Sequence, residues 1–136
     1  MARIEPEEED FDPDAFTAED AERALRHGLE LFDAGEYHAA HEEIEKCWLA
    51  SEGGDADFFK GLIQAAICMH HLSRDNVDGA KKLYSGHRRL LGPFLPAHRE
   101  VDVAGLLAEM QRVLRPFLRG EGGRFDPAQR PRLSPH

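Results

Sequence analysis

Apolar residues recur at intervals of three and four along most of the chain, a spacing that predicts helices. The first helix starts at Thr17, where Thr17 and Asp20 form a capping box. Its face is Ala21, Leu25, Gly28, Leu29 and Phe32, and Gly35 is the left-handed residue that stops it. A second helix, over about 36–51, sets Tyr37, Ala40, Ile44, Cys47 and Trp48 on one side and Glu42, Glu43 and Lys46 on the other. SEGGDA (51–56) is a turn by composition, with Asp55 placed to cap the next helix. That third helix, about 57–73, is apolar nearly all round, so it is central and covered by its neighbours.

Asp75 and Asn76 interrupt the pattern. Val77, Ala80, Leu83, Tyr84, His87, Leu90 and Leu91 then mark a fourth helix, closed by Gly92-Pro93. After a connector over 92–100, Asp102 caps a fifth helix whose stripe is Val103, Leu106, Leu107, Met110, Val113, Leu114 and Phe117, with Val101 and Leu106 placed as a hydrophobic staple. A weak repeat at an offset of 40 pairs Phe32 with Leu72, Tyr37 with Val77, Ala40 with Ala80 and Ile44 with Tyr84. Each half resembles a helical hairpin of the tetratricopeptide type. Two hairpins are fewer than the roughly three that a solenoid needs, so the expected architecture is an all-α compact bundle of about five helices, two hairpins plus a capping C-terminal helix.

Composition adds boundaries to this picture. Residues 1–15 carry seven acids, one Arg and two prolines, and are expected to be an extended or disordered arm. The helical domain spans 16–118, and the Arg-, Pro- and Gly-rich tail, 119–136, is expected to lie over the surface or move freely. The net charge of −9 argues against nucleic acid as a partner, because affinity for phosphate backbones rests on basic patches. Thirteen Arg against four Lys, within an acidic chain, would also suit a high-salt cytoplasm. No apolar run approaches the roughly 20 residues of a bilayer span and no signal-like start is present, so a cytoplasmic protein with no membrane partner is expected. Cys47 and Cys68 lack CxxC spacing and sit among apolar residues, which predicts buried reduced thiols.

Polar residues break two of these faces at helical spacing: His41, Glu45 and Trp48 on the second helix, and Gln64 and His71 on the third. The segments LFDAGEYHAAHEEIEKCW, FFKGLIQAAICMHHL and GAKKL, which hold them, resemble the domain-of-unknown-function 309 family. The shared pattern is H-E-x-x-E-x-x-W (His41, Glu42, Glu45, Trp48), G-x-I-Q with a histidine seven residues after the glutamine (Gly61, Ile63, Gln64, His71), and a small pair, Gly79-Ala80. It covers about 28–91 and leaves both tails unexplained. The resemblance implies a compact all-helical fold found in bacterial and archaeal proteins, with no assigned activity.

Two functions compete for the polar set. In the first, His41, Glu45, Trp48, Gln64 and His71 form a buried network that fixes the register of two helices in a non-catalytic binding or self-association module. The partner is then a protein or a second copy, and no cofactor is required. In the second, His41, Glu45 and His71 ligate a divalent metal in a hydrolase-like enzyme, with Gln64 as a supporting contact. HEEIE is not the HExxH of zinc proteases: Glu45 stands where the second histidine would be, and Glu42 points to the polar side. His38 and His70 flank the set, and His87 lies on an apolar face. Arg88 and Arg89 could meet an anion, although adjacent arginines are usually solvated or paired.

Overall fold

The structure is a computed structural model that describes residues 11–133. Five helices carry the fold: α1 (Ala18–Asp33), α2 (Tyr37–Ala50), α3 (Asp55–Ser73), α4 (Val77–Leu91) and α5 (Val103–Leu118). Among the described residues there is no strand, only an isolated bridge between His98 and Val101. The architecture is the expected all-α bundle. α1 packs on α2, α2 and α4 pack on either side of α3, and α5 closes against α4.

The reason lies in how much each helix has to bury. α3 buries Phe58, Phe59, Leu62, Ile63, Ala65, Ala66, Cys68, Met69 and Leu72, residues that point to several sides, so it needs neighbours all round. Each large side chain so buried contributes about 1.5–3 kcal/mol. Close approach to α4 depends on Gly61, where an added Cβ would lie 2.7 Å from Leu91 Cγ. Both thiols are buried and free, and each bonds a carbonyl of an adjoining helix: Cys47 Sγ to Ala21 O at 3.4 Å and Cys68 Sγ to Ala80 O at 3.2 Å. Burial pushes them up to about 11 and about 12 respectively, so both stay protonated and unreactive at neutral pH.

Local signals set the helix ends. The Thr17–Asp20 capping box is complete, Asn76 Oδ1 accepts from Gly79 N, and Asp102 Oδ1 accepts from Gly105 N. One cap departs from expectation. Asp55 is the first residue of α3 rather than its cap, and the cap position, Gly54, makes no side-chain bond. The Asp55 carboxylate is taken instead by His98 Nε2 at 2.8 Å and Arg99 Nε at 2.7 Å. Burial alone would raise the Asp55 carboxyl, but the hydrogen bonds from Arg99 and His98 hold it below its ordinary value.

The first ten residues of the expected acidic arm lie outside the described residues. Its remainder is not extended: Pro13–Ala15 form a 3-10 turn, and Phe11 meets Phe16 edge-on with ring centroids 5.3 Å apart. Part of the C-terminal tail is docked. Arg130 Nε donates to Asp33 O at 2.9 Å, Leu133 N to Asp33 Oδ1 at 2.8 Å and Arg132 N to Glu109 Oε1 at 2.9 Å, and Pro131 is fully buried. Residues 130–133 thus tie the end of α1 to α5. The Arg130 charge also sits where the α1 carbonyls converge, which favours a cation.

Candidate functional site

The buried stripe of α2 is Tyr37, Ala40, Ile44 and Cys47. His41, Glu45 and Trp48 each follow a member of that stripe by one residue, so they lie about 100° further round the helix. That rotation decides their environment. His41 and Glu45 are half-buried, whereas Trp48 is 36% exposed and Leu49 beside it 48%. The expected burial of the Trp48 ring is therefore corrected: the tryptophan edges the core and closes no network. Glu42 is exposed, as expected, and faces His38 Nε2 at 3.3 Å.

α3 supplies the other half of the polar set, and the two halves do not interlock as a single network. Gln64 turns toward α4, where its carboxamide oxygen is buried without a hydrogen-bond partner against Gly86. A Cβ at residue 86 would collide with that oxygen, so Gly86 is what lets the amide sit between the helices. His71 also turns to the α3–α4 side: Nδ1 lies 3.2 Å from Asn76 Nδ2, while the Asn76 oxygen caps α4. The imidazole is thereby tied to the corner and not to His41.

Across α2 and α3 the structure assembles a row of histidines. His38 and His41 have ring centroids 6.0 Å apart, His38 and His70 5.6 Å, and His70 and His71 6.2 Å. Burial, then the neighbouring His38, Arg74, His71 and His41, hold His70 below the ordinary histidine value, so it resists protonation. His38 and His70 were visible in the sequence only as flanking residues. Their meeting depends on the register of α2 against α3, which no local pattern carries.

This geometry does not assemble the three-ligand set of His41, Glu45 and His71. Among the described residues, no group of three or more His, Cys, Asp and Glu side chains is placed to hold a metal ion. The anion reading of Arg88 also fails on geometry, because Arg88 Nη1 donates to Leu107 O at 2.9 Å and its guanidinium lies over the Tyr84 ring.

With the fold and these residues in place, comparison with protein families is specific. The model described as "Domain of unknown function (DUF309)" matches residues 25–83. The match spans 59 of the chain's 136 residues, and over this segment the chain is similar to that family. The DUF309 match holds most of α1, all of α2 and α3 and the first half of α4, so it contains the histidine row, Trp48 and Gln64. No curated protein matches the chain. Among the described residues no helix is long and apolar enough to cross a membrane.

Proposed function

We propose that this chain is a non-catalytic self-association module in which two copies meet across the outer face of α2, with Trp48 at the centre and the histidine row at the edge. The observation that carries the reading is the adjacent pair Trp48 and Leu49, 36% and 48% exposed on a helix whose opposite face is already packed. Tryptophan is the residue most enriched at energetic centres of interfaces, because it brings large apolar area at small entropic cost. The half-buried Glu45 and His41, about one and two turns earlier on the same stripe, provide a polar margin. The metal-dependent alternative lacks a converging donor set among the described residues.

The test is sedimentation equilibrium over a micromolar to millimolar series, on the wild type and on Trp48→Ala. The wild type is expected to dimerise, and Trp48→Ala to weaken the dimer by at least about tenfold, which corresponds to roughly 1.4 kcal/mol. Helicity by circular dichroism is expected to be unchanged, since the side chain is partly exposed. A wild type that stays monomeric across the series, or a dimer indifferent to Trp48→Ala, would overturn the proposal.

A further inference from the structure

The net charge of −9 is unevenly divided. Residues 1–60 carry 19 acids and 5 bases, whereas residues 61–136 carry 7 acids and 12 bases, so one half stands at −14 and the other at +5. The first half is the arm with α1, α2 and the opening of α3, and the second holds α4, α5 and the tail. Opposite fields on two parts of one molecule draw copies of it together where the two can meet.

The positive field has a definite centre. Arg88 Nη1, late in α4, donates to Leu107 O, early in α5, at 2.9 Å, and Arg124, just past α5, pairs with Asp75, just before α4, at 3.2 Å. The two helices therefore run antiparallel, and the last turn of α5 lies beside the first turns of α4. That brings Lys81 and Lys82 to the same end as Arg115 and Arg119, with Arg74 at the corner between α3 and α4. All five are exposed, and among the described residues none has a side-chain hydrogen bond or ion pair. Against them stand Asp78 and Glu121, so three positive charges remain in excess. Leu118, 39% exposed, adds apolar surface beside Arg115.

The complementary charge precedes the described residues. Residues 1–10, MARIEPEEED, hold five acids within six positions, from Glu5 to Asp10, with Ile4 just before them and a single Arg. Their point of attachment is fixed by the fold. The Pro13–Ala15 turn lies against α2, and Phe16 lines a small cavity with Ala50 and Ser51 at the end of that helix. The basic face is at the other end of the bundle, since α3 runs from Asp55, in the wall of the same cavity, to Ser73 beside Arg74. Its 19 residues rise about 28 Å. Fully stretched, the chain from Phe11 back to Glu5 spans only about 20–22 Å. The acids of one chain therefore fall short of its own basic face and reach that of a neighbour.

We propose that residues 1–10 of one copy dock on the Lys81, Lys82, Arg115 and Arg119 face of a second copy. The carboxylates from Glu5 to Asp10 meet the bases, and Ile4 meets Leu118. This contact shares no residue with the α2 face, so the two proposals stand or fall separately.

The experiment is zero-length cross-linking by a carbodiimide, which joins a carboxylate to a lysine amine only where the two touch, on an equal mixture of isotope-labelled and unlabelled full chains. Mass spectrometry of digests is expected to find arm carboxylates joined to Lys81 or Lys82 in pairs of one labelled and one unlabelled chain. Lys46 and Lys60 are the other lysines of the chain, and an arm that docks nowhere would favour them, because they lie nearer its attachment. The Arg115→Gln/Arg119→Gln double variant keeps both target lysines. Its links should fall about two- to fivefold, the range for solvent-facing ion pairs. The links should vanish at about 1 M salt, where the screening length is about 3 Å and an apolar α2 contact would remain, and they should persist in Trp48→Ala. Links confined within one chain, equal yields at Lys46 or Lys60, or yields indifferent to the double variant overturn the proposal.

Discussion

At the corner between α1 and α2, Gly35 N donates to Phe32 O at 3.0 Å and Glu36 N to Leu31 O at 2.8 Å. Forty residues on, Asp75 N donates to Leu72 O at 3.0 Å and Asn76 N to His71 O at 2.8 Å. Both turns place one residue in the left-handed region, Gly35 at φ 87° and Asp75 at φ 62°. The backbones match and the side chains do not. The first corner uses a glycine covered by the Arg130 side chain. The second uses an aspartate that faces Arg124 at 3.2 Å, an asparagine that caps α4, and a histidine bonded to that asparagine. The same offset separates the buried residues Cys47 and His87. The Cys47 thiol donates to Ala21 O, whereas neither ring nitrogen of His87 has a hydrogen-bond partner although the residue is 0% exposed. Both hairpins bury a polar atom without a partner, Tyr37 Oη in the first and Gln64 Oε1 and the His87 ring nitrogens in the second, but only the second buries a titratable ring that would have to stay neutral near neutral pH.

The largest predicted effect breaks this comparison at His87. Burial drives its value down to about 4 from an ordinary 6.5, so the folded chain keeps the ring neutral while the unfolded chain protonates first. The stabilising contribution of the neutral ring is complete above pH 6.5 and is lost as pH falls toward 4. The total loss is about 3 kcal/mol. His87→Leu removes the group and should flatten that slope with little change in stability at pH 7, since the ring nitrogens make no hydrogen bond of good geometry and a polar ring leaves the core. Urea midpoints at pH 7, 5.5 and 4 measure it. A wild-type slope that survives the substitution would assign the acid sensitivity to other groups. The carboxylates of Asp20, Asp55 and Glu109, whose values are lowered, lose their contribution at lower pH still.

Next in size is the packing contrast between the hairpins. An added Cβ at Gly61 meets Leu91 Cγ at 2.7 Å and Cδ2 at 2.8 Å and approaches Leu90 Cβ at 3.2 Å, atoms held close to the α4 backbone. At Gly28 the same addition meets Ile44 Cγ1 at 2.5 Å and Cδ1 at 3.1 Å, atoms of one buried β-branched side chain rather than of two residues. Gly61→Ala should therefore cost about 1–3 kcal/mol by overpacking. Gly28→Ala should cost somewhat less, because only Ile44 has to give there, while the helix-propensity gain of up to about 1 kcal/mol is common to both sites. Thermal melts of the two variants give the order directly, and equal costs would mean that α3 and α4 separate more easily than their packing implies.

Much of this was legible in the sequence because helices write their buried faces locally. The stripes of α1, α4 and α5, the all-round apolar α3, and the caps Thr17, Asn76 and Asp102 needed only neighbours within a few turns. The failures share a different cause. Asp55 looked like a cap until Arg99 and His98, 44 and 43 residues away, took its carboxylate. Trp48 looked buried because a one-residue rotation around α2 separates the packed stripe from the open one, and apolar spacing alone does not resolve it. The histidine row and the Gln64–Gly86 contact depend on how α3 is registered against α2 and α4. Docking of the Arg130 segment on Asp33 depends on tertiary contact alone.

The smallest effect sharpens the comparison at the corners themselves. Gly35 occupies its left-handed turn without a steric penalty, so Gly35→Ala should destabilise by about 1 kcal/mol. Asp75 occupies the equivalent position with a Cβ, so Asp75→Gly should relieve about the same amount. Two terms oppose that gain. The Arg124 pair is lost, but its side chains are 87% and 50% exposed, so the loss is within the small range of solvent-facing ion pairs. Glycine also widens the unfolded ensemble by a few tenths to about 1 kcal/mol, which trims the benefit. The opposing terms nearly cancel, so Asp75→Gly is expected to change stability by well under about 1 kcal/mol, against a loss of about 1 kcal/mol for Gly35→Ala, from paired urea melts at pH 7. If Asp75→Gly instead destabilised as much as Gly35→Ala, the aspartate would be holding its corner through Arg124 rather than merely occupying it. The two hairpins would then differ in what closes them as well as in what they bury.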